Sequence, residues 1–352
     1  MEAVYEWPEP VVRVQTLAGA ATIPDRYVKP LSERPKLAAV PVGSTARASN
    51  NIPVIDFASL ASGRETAAVA AACGEWGFFQ LVNHGIETAE EVRQAWREFF
   101  ALPMEEKQRY ANSPATFEGY GSRLGVVKGA VLDWGDYFFL HLLPPSPPTK
   151  WPSSPSQLRT GNRGKTEEYC AAVAKVVEAV KRAISAALGV EEGYMAAAFG
   201  QAAAAMRVNY YPKCPQPELT LGLSPHSDPG GLTFLLPDEH VKGLQVRHAG
   251  EWVTVDPVPG GLIVNIGDQI QLLSNGTFKS VEHRVTANAA ADRISVAYFH
   301  NPQDDLLISP ASEIVKRSGP AVYKPIMYRE YKKHMRMLGL GGKSHVDSLR
   351  TT

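Results

Sequence analysis

Three residues of this chain have the types and spacing to hold a metal ion: His226 and Asp228, two apart, and His283 far downstream. Two imidazoles and one carboxylate can cap one face of a metal octahedron and leave the opposite face open, an arrangement suited to Fe(II) chemistry with O2. The same donors also serve catalytic zinc. A zinc hydrolase would want a glutamate base beside the ligands, and none sits in the His226 segment. Alternate residues of an extended strand point to one side, so His226 and Asp228 can converge on one ion if they share a strand. His283 must then arrive from another strand of the same barrel. The stretch Leu219 to Leu223 reads as extended, and Pro229-Gly230-Gly231 turns the chain directly after the pair.

A second constellation follows. Arg293 and Ser295, two apart, offer a fork of donors and a hydroxyl on one strand face, which suits a carboxylate. Upstream, Arg207, Asn209 and Tyr211 share a face by the same parity, and Ala297 and Phe299 share that of Arg293. The remaining histidines have no partner at ligand spacing. His84 reads as a turn residue, and His141, His240, His248, His300, His334 and His345 read as structural or surface groups.

The elements that must position these groups differ between the two halves of the chain. Residues 1–50 read as irregular and rich in Pro, Ala and Ser. A strand is expected at 51–56, a helix over 64–76, a strand at 78–82, and helices over 88–101 and 103–110. Strands with an intervening loop are expected within 120–143, then a proline-rich connector at 144–155. A long helix over 165–188 and a shorter one ending near Phe199 follow. From about residue 205 to Asn301, short strands recur between Gly, Pro, Asn and Asp, the pattern of an antiparallel barrel or double-sheet jelly roll. A helix over 325–338 closes the chain. The fold class is therefore α+β, mainly β: a double-stranded β-helix (jelly-roll) core with flanking helices. The expected division is a mostly helical region 1–200, the jelly-roll core 201–305, and a helical lid and tail 306–352.

Composition excludes several classes. Lys plus Arg equals Asp plus Glu at 36 each, so no charge footprint for nucleic acid or an anionic membrane is present. The apolar stretch Ala171 to Leu188 is interrupted by Lys175, Glu178, Lys181 and Arg182, as an amphipathic helix of a globular protein is. Residues 1–10 carry acids and prolines where a signal peptide would need basic and then apolar residues. Three scattered cysteines, Cys73, Cys170 and Cys214, argue against a disulfide framework and fit a reducing compartment. The expectation is a cytoplasmic enzyme, a monomer, acting on a small molecule.

Asn209-Tyr210-Tyr211-Pro212-Lys213-Cys214, His226-x-Asp228, His283 and Arg293-x-Ser295, in this order and spacing, resemble the signature of the plant 2-oxoglutarate/Fe(II)-dependent dioxygenases. The similarity covers essentially the whole chain, including Ile52-Pro53-Val54-Ile55-Asp56 and Gly77-Phe78-Phe79-Gln80-Leu81-Val82-Asn83-His84-Gly85. Within that superfamily the chain is most similar to the jasmonate-induced oxygenases, which hydroxylate jasmonic acid. Trp7-Pro8-Glu9-Pro10-Val11-Val12-Arg13-Val14-Gln15, Ile23-Pro24-Asp25-Arg26-Tyr27, Glu118-Gly119-Tyr120-Gly121-Ser122-Arg123 and Gly342-Lys343-Ser344-His345-Val346 carry this finer likeness, shared in part with flavonoid-type relatives.

The resemblance implies Fe(II) on His226, Asp228 and His283, with 2-oxoglutarate and O2 as co-substrates and ascorbate as a supporting reductant. It implies the distal carboxylate of 2-oxoglutarate on Arg293 and Ser295, with Tyr211 and Asn209 assisting. No side chain need act as acid or base, because the co-substrate's oxidative decarboxylation supplies the electron pair that C–H hydroxylation lacks.

Substrate residues follow from parity. If Asn209 and Tyr211 face the site, so does Arg207, and an inward guanidinium needs a partner. A substrate carboxylate would serve, or an internal Asp or Glu. Phe299 and Phe138 could wall an apolar body or belong to the core. Arg336 lies with Arg329, Lys332 and Lys333 on a basic face of the last helix, either as a second clamp or as a solvated residue. Jasmonic acid, oxidised to 12-hydroxyjasmonic acid with a loss of jasmonate signalling, fits these groups. A flavonoid or other specialised-metabolite dioxygenase is the alternative within the class, and a zinc hydrolase or a non-catalytic receptor lies outside it.

Overall fold

Strands with one greasy and one polar face need a layer on each side, and this chain supplies both from its own sequence. The computed structural model describes residues 6–35, 51–158 and 164–351. The irregular chain expected at 1–50 therefore falls in part, at 1–5 and 36–50, outside the described residues. In chain order the strands are β1 (Val54–Asp56), β2 (Phe78–Val82), β3 (Gly119–Gly121), β4 (Asp136–Leu143), β5 (Ala203–Tyr211) and β6 (Leu221–His226). There follow β7 (Leu232–Leu236), β8 (Leu244–His248), β9 (Glu251–Thr254), β10 (Leu262–Ile266), β11 (His283–Thr286) and β12 (Arg293–Asn301). A larger sheet runs β1-β2-β10-β7-β12-β5-β4-β3 and a smaller one β6-β11-β8-β9. This is the double-sheet jelly-roll core that the strand pattern predicts.

Alternation decides which side chains meet the site. Ala204, Met206 and Val208 of β5, Phe234 of β7, Val264 of β10, and Ile294, Val296 and Tyr298 of β12 all point to the outer face of the larger sheet. There they meet the helix Lys165–Ala187, which buries Val173, Val177, Val180 and Ile184 at helical spacing. Each such side chain contributes about 1.5–3 kcal/mol when fully buried. The alternate residues face inward, toward the smaller sheet. Register aligns them: Arg293 lies opposite Tyr211, Ser295 opposite Asn209, and Ala297 opposite Arg207.

Strands β1 to β4 come from before residue 200 and complete the larger sheet, so the N-terminal region contributes strands as well as helices. One expectation changes. The last helix starts at Tyr328, because Ile326–Met327 instead pairs as a short strand with Leu307–Ile308. No helix among the described residues is long and apolar enough to cross a membrane.

Candidate active site

His226 closes β6 and His283 opens β11, where the two are direct cross-strand partners. Asp228 lies two residues past the end of β6, in the turn that Pro229 and Gly230 continue. Its Oδ1 sits 3.7 Å from Nε2 of each histidine. All three residues are buried, and their ligand atoms lie within 4.8 Å of one another. The Nδ1 atoms of His226 and His283 face the carbonyls of Ser224 at 2.9 Å and Val281 at 3.2 Å. Those acceptors hold the proton on Nδ1 and leave the Nε2 lone pairs aimed inward. Burial, aided by the charge of His283, pushes the His226 imidazole down to about 4. Burial would raise Asp228, but both histidines and hydrogen bonds from Asn265 and Thr233 outweigh it and keep the carboxyl below its ordinary value. Apart from these histidines, no cationic side chain among the described residues pairs with Asp228. A buried carboxylate facing two imidazole lone pairs is a fitting donor set for a divalent ion such as Fe(II).

The second pole is cationic. Arg293 is buried, and burial lowers the pKa of its guanidinium against the opposing pull of Tyr211 and Asp238. No carboxylate among the described residues lies within ion-pair distance of it, since Asp238 pairs with Arg97 at 2.7 Å. Its Nε donates to the Val241 carbonyl at 3.2 Å and its Nη1 to Ser295 Oγ at 3.5 Å. The Tyr211 ring centroid is 5.4 Å from the guanidinium carbon. A Cβ on Gly222 would fall 2.8 Å from that ring, and one on Gly135 3.0 Å, so both glycines make room for it. Asn209 is buried, and its Oδ1 has no protein partner. A buried guanidinium without a counter-ion calls for an anionic ligand, and the carboxylate of an oxo diacid fits.

A cavity of about 280 Å³ joins the two poles. Arg207 lines it, with its guanidinium carbon 4.2 Å from the centroid of the Tyr137 ring. Its buried Nε has no partner, and no carboxylate among the described residues pairs with it. Phe299 lines the cavity, and Arg336 reaches it from the helix Tyr328–Leu338 together with Lys332 and Met335. Among the described residues, Asp228 is the only carboxylate in the lining.

Phe138 does not line the cavity. It pairs in register with Val208 and so shares that residue's outward parity, packing 5.1 Å from the Trp96 ring and 5.0 Å from Phe99. Its neighbours Tyr137 and Phe139 take the inward places, as does His141, which is a cavity residue and not a remote one. Burial, joined by the positive charge of Arg336 and Lys332, lowers the His141 imidazole below its usual value.

The C-terminal segment also belongs to this frame. Gly342 exchanges backbone hydrogen bonds with β6: its N–H donates to the Pro225 carbonyl, and the Ser227 N–H donates to its own carbonyl. Lys343 Nζ donates to Gln271 Oε1 at 2.8 Å, and Tyr331 Oη to Asp268 Oδ2 at 2.6 Å. No sequence periodicity announces this docking; the Gly-Lys pair is its only local trace.

Residues 202–302 match the family described as the 2OG-Fe(II) oxygenase superfamily. Residues 52–158 match the family described as non-haem dioxygenase in morphine synthesis N-terminal. The chain is 52% identical over 358 residues to jasmonate-induced oxygenase 4 of Arabidopsis thaliana, covering 98% of this chain and 99% of that protein. It is 42% identical over 334 residues to flavanone 3-dioxygenase 2 of Oryza sativa subsp. japonica, covering 94% and 95%. A crystal structure of JOX2 in complex with 2OG, Fe, and JA matches with a TM-score of 0.90 at 50% identity, covering 99% of this chain and all of that one.

Proposed function

The chain belongs to the 2OG-Fe(II) oxygenase superfamily, and from that premise we propose that it hydroxylates jasmonic acid to 12-hydroxyjasmonic acid and so lowers jasmonate signalling. The observation that carries the substrate is Arg207, a half-buried guanidinium that faces the cavity with no acid among the described residues to pair with. A ligand carboxylate supplies the missing charge.

His226, Asp228 and His283 would hold the iron. Arg293 and Ser295 hold the distal carboxylate of 2-oxoglutarate, with Tyr211 and Asn209 closing around it. When bound, iron and 2-oxoglutarate supply the redox chemistry: decarboxylation to succinate provides the second electron pair for reducing O2. Arg207 anchors the organic acid by its carboxylate, Phe299 and Phe139 wall its hydrocarbon body, and Arg336 closes the rim as a second cation. Anchoring one end fixes which carbon approaches the metal, which is the protein's share of regioselectivity. Three buried free thiols, Cys73, Cys170 and Cys214, suit a reducing compartment, and we place the enzyme in the cytoplasm.

A neutral flavanone leaves Arg207 unpaired, which disfavours that reading despite the relative at 42% identity. A zinc hydrolase would lack a carboxylate general base, because the lining holds none besides Asp228 among the described residues. Arg207→Ala tests the proposal. Truncating one partner of a buried charge pair costs about 2–5 kcal/mol, so kcat/KM for jasmonic acid falls roughly 30-fold to several thousand-fold. Decarboxylation of 2-oxoglutarate uncoupled from hydroxylation stays measurable. An unchanged KM and rate on jasmonic acid would sink the clamp.

A further inference from the structure

We propose that Thr233 and Asn265 are positioning residues that hold Asp228 as a one-oxygen ligand and thereby keep metal positions free. Thr233 Oγ1 donates to Asp228 Oδ2 at 2.5 Å, and Asn265 Nδ2 donates to the same oxygen at 2.8 Å. An ionised carboxylate oxygen has about two lone-pair sites, so two donors saturate Oδ2. Oδ1 is the atom that faces Nε2 of both histidines at 3.7 Å.

The two donors are placed by the sheet. Asn265 of β10 and Thr233 of β7 are cross-strand partners on the inner face, and both are buried. Asp228 hangs from the end of β6 in the other sheet, so the clamp ties the two sheets together at the metal ligand. The backbone adds a third tie, since the Asp268 N–H donates to the Asp228 carbonyl at 2.8 Å.

The consequence is a matter of coordination count. With two imidazoles and one carboxylate oxygen, an octahedral ion keeps three positions, enough for a chelating oxo acid and O2. A carboxylate binding through both oxygens would take one of them. Hydrogen bonds to Oδ2 make that swing costly, because two buried donors would lose their acceptor together.

The proposal rests on the reading that the triad holds iron, and its test separates the two. Thr233→Ser keeps the hydroxyl, while Thr233→Val and Thr233→Ala remove it with and without the branched volume. Fe(II) affinity is read by anaerobic titration of the charge-transfer band of chelated 2-oxoglutarate, and coordination number by the ligand-field spectrum of the Co(II)-loaded protein. Melting of the metal-free protein controls for packing. The proposal predicts sorting by hydroxyl: serine close to wild type, valine and alanine each about 10- to 100-fold weaker for Fe(II), with the Co(II) spectrum shifted. Sorting by volume, with valine like wild type and serine like alanine, overturns it, as do three variants that all bind like wild type. Wild-type protein that binds neither ion overturns the metal site itself, and the clamp with it.

Discussion

Of the three guanidiniums that line the cavity with no ion-pair partner among the described residues, Arg293 and Arg207 lie on neighbouring strands and Arg336 on the last helix. Arg293 stands opposite Tyr211, and Arg207 lies four residues along β5 from that tyrosine, roughly 13 Å away at strand spacing. The metal ligands approach the same cavity from the smaller sheet, and in the proposed function Arg293 would serve the co-substrate and Arg207 the substrate. The planar fork of Arg293 matters as much as its charge. Arg293→Lys keeps a cation but loses the paired donors, so KM for 2-oxoglutarate rises about 10- to 100-fold while kcat at saturation falls little. Steady-state kinetics with varied 2-oxoglutarate checks this, and an unchanged KM would place the co-substrate elsewhere. These residues were legible in the sequence, because types that do chemistry recur at a spacing of two and a strand turns that spacing into a shared face. Asp228 is a partial exception: it converges with His226 from a turn beyond the strand.

At the scale of elements, parity succeeds where one face of a strand is plainly polar. In β5 and β12 the polar residues alternate with apolar ones, and the register follows from that contrast. In β4 the run Tyr137, Phe138, Phe139, Leu140 is apolar on both faces, so its sequence does not say which face looks inward. Only the pairing of Phe138 with Val208 decides that, and Phe138 goes to the core while Phe139 and His141 go to the cavity. Contacts between loops were equally invisible. Gly125 and Gly339 touch across the cavity wall: a Cβ on Gly125 would sit 2.9 Å from the Gly339 Cα, and both residues have φ in the left-handed region, at 76° and 79°. Gly125→Ala forces a left-handed alanine against backbone, at about 1–3 kcal/mol. If that strain opens the C-terminal helix end, KM for the organic acid rises roughly tenfold. KM for 2-oxoglutarate, set at the Arg293 pole, stays near wild type. Equal rises in both constants would show that the contact supports the fold as a whole.

At the scale of the molecule, both ends of the chain brace the barrel. Near the N-terminus, the backbone N–H groups of Val14 and Gln15 donate to Asp136 at 2.9 and 3.0 Å. Glu9 bridges Arg26 at 2.8 Å and the buried Arg123. The Arg123 hydrogen bond, opposed by a smaller desolvation, holds the Glu9 carboxyl down to about 2 from an ordinary 4.5. A depressed carboxylate stabilises the fold above its unfolded value and loses that effect as pH falls through its folded one. Glu9→Gln therefore lowers the urea midpoint at pH 7, and its gap to wild type narrows between pH 4.5 and 2. A gap independent of pH would mean that the amide loses packing rather than charge. The account as a whole turns on coupling between one substrate and the co-substrate. The direct measurement incubates the purified protein with Fe(II), labelled O2, 2-oxoglutarate and either jasmonic acid, its methyl ester or a flavanone, and counts succinate against hydroxylated product. The account predicts one labelled oxygen in 12-hydroxyjasmonic acid per succinate, with the ester and the flavanone largely inert. Hydroxylation of the flavanone with jasmonic acid untouched, or equal turnover of the acid and its ester, would contradict it.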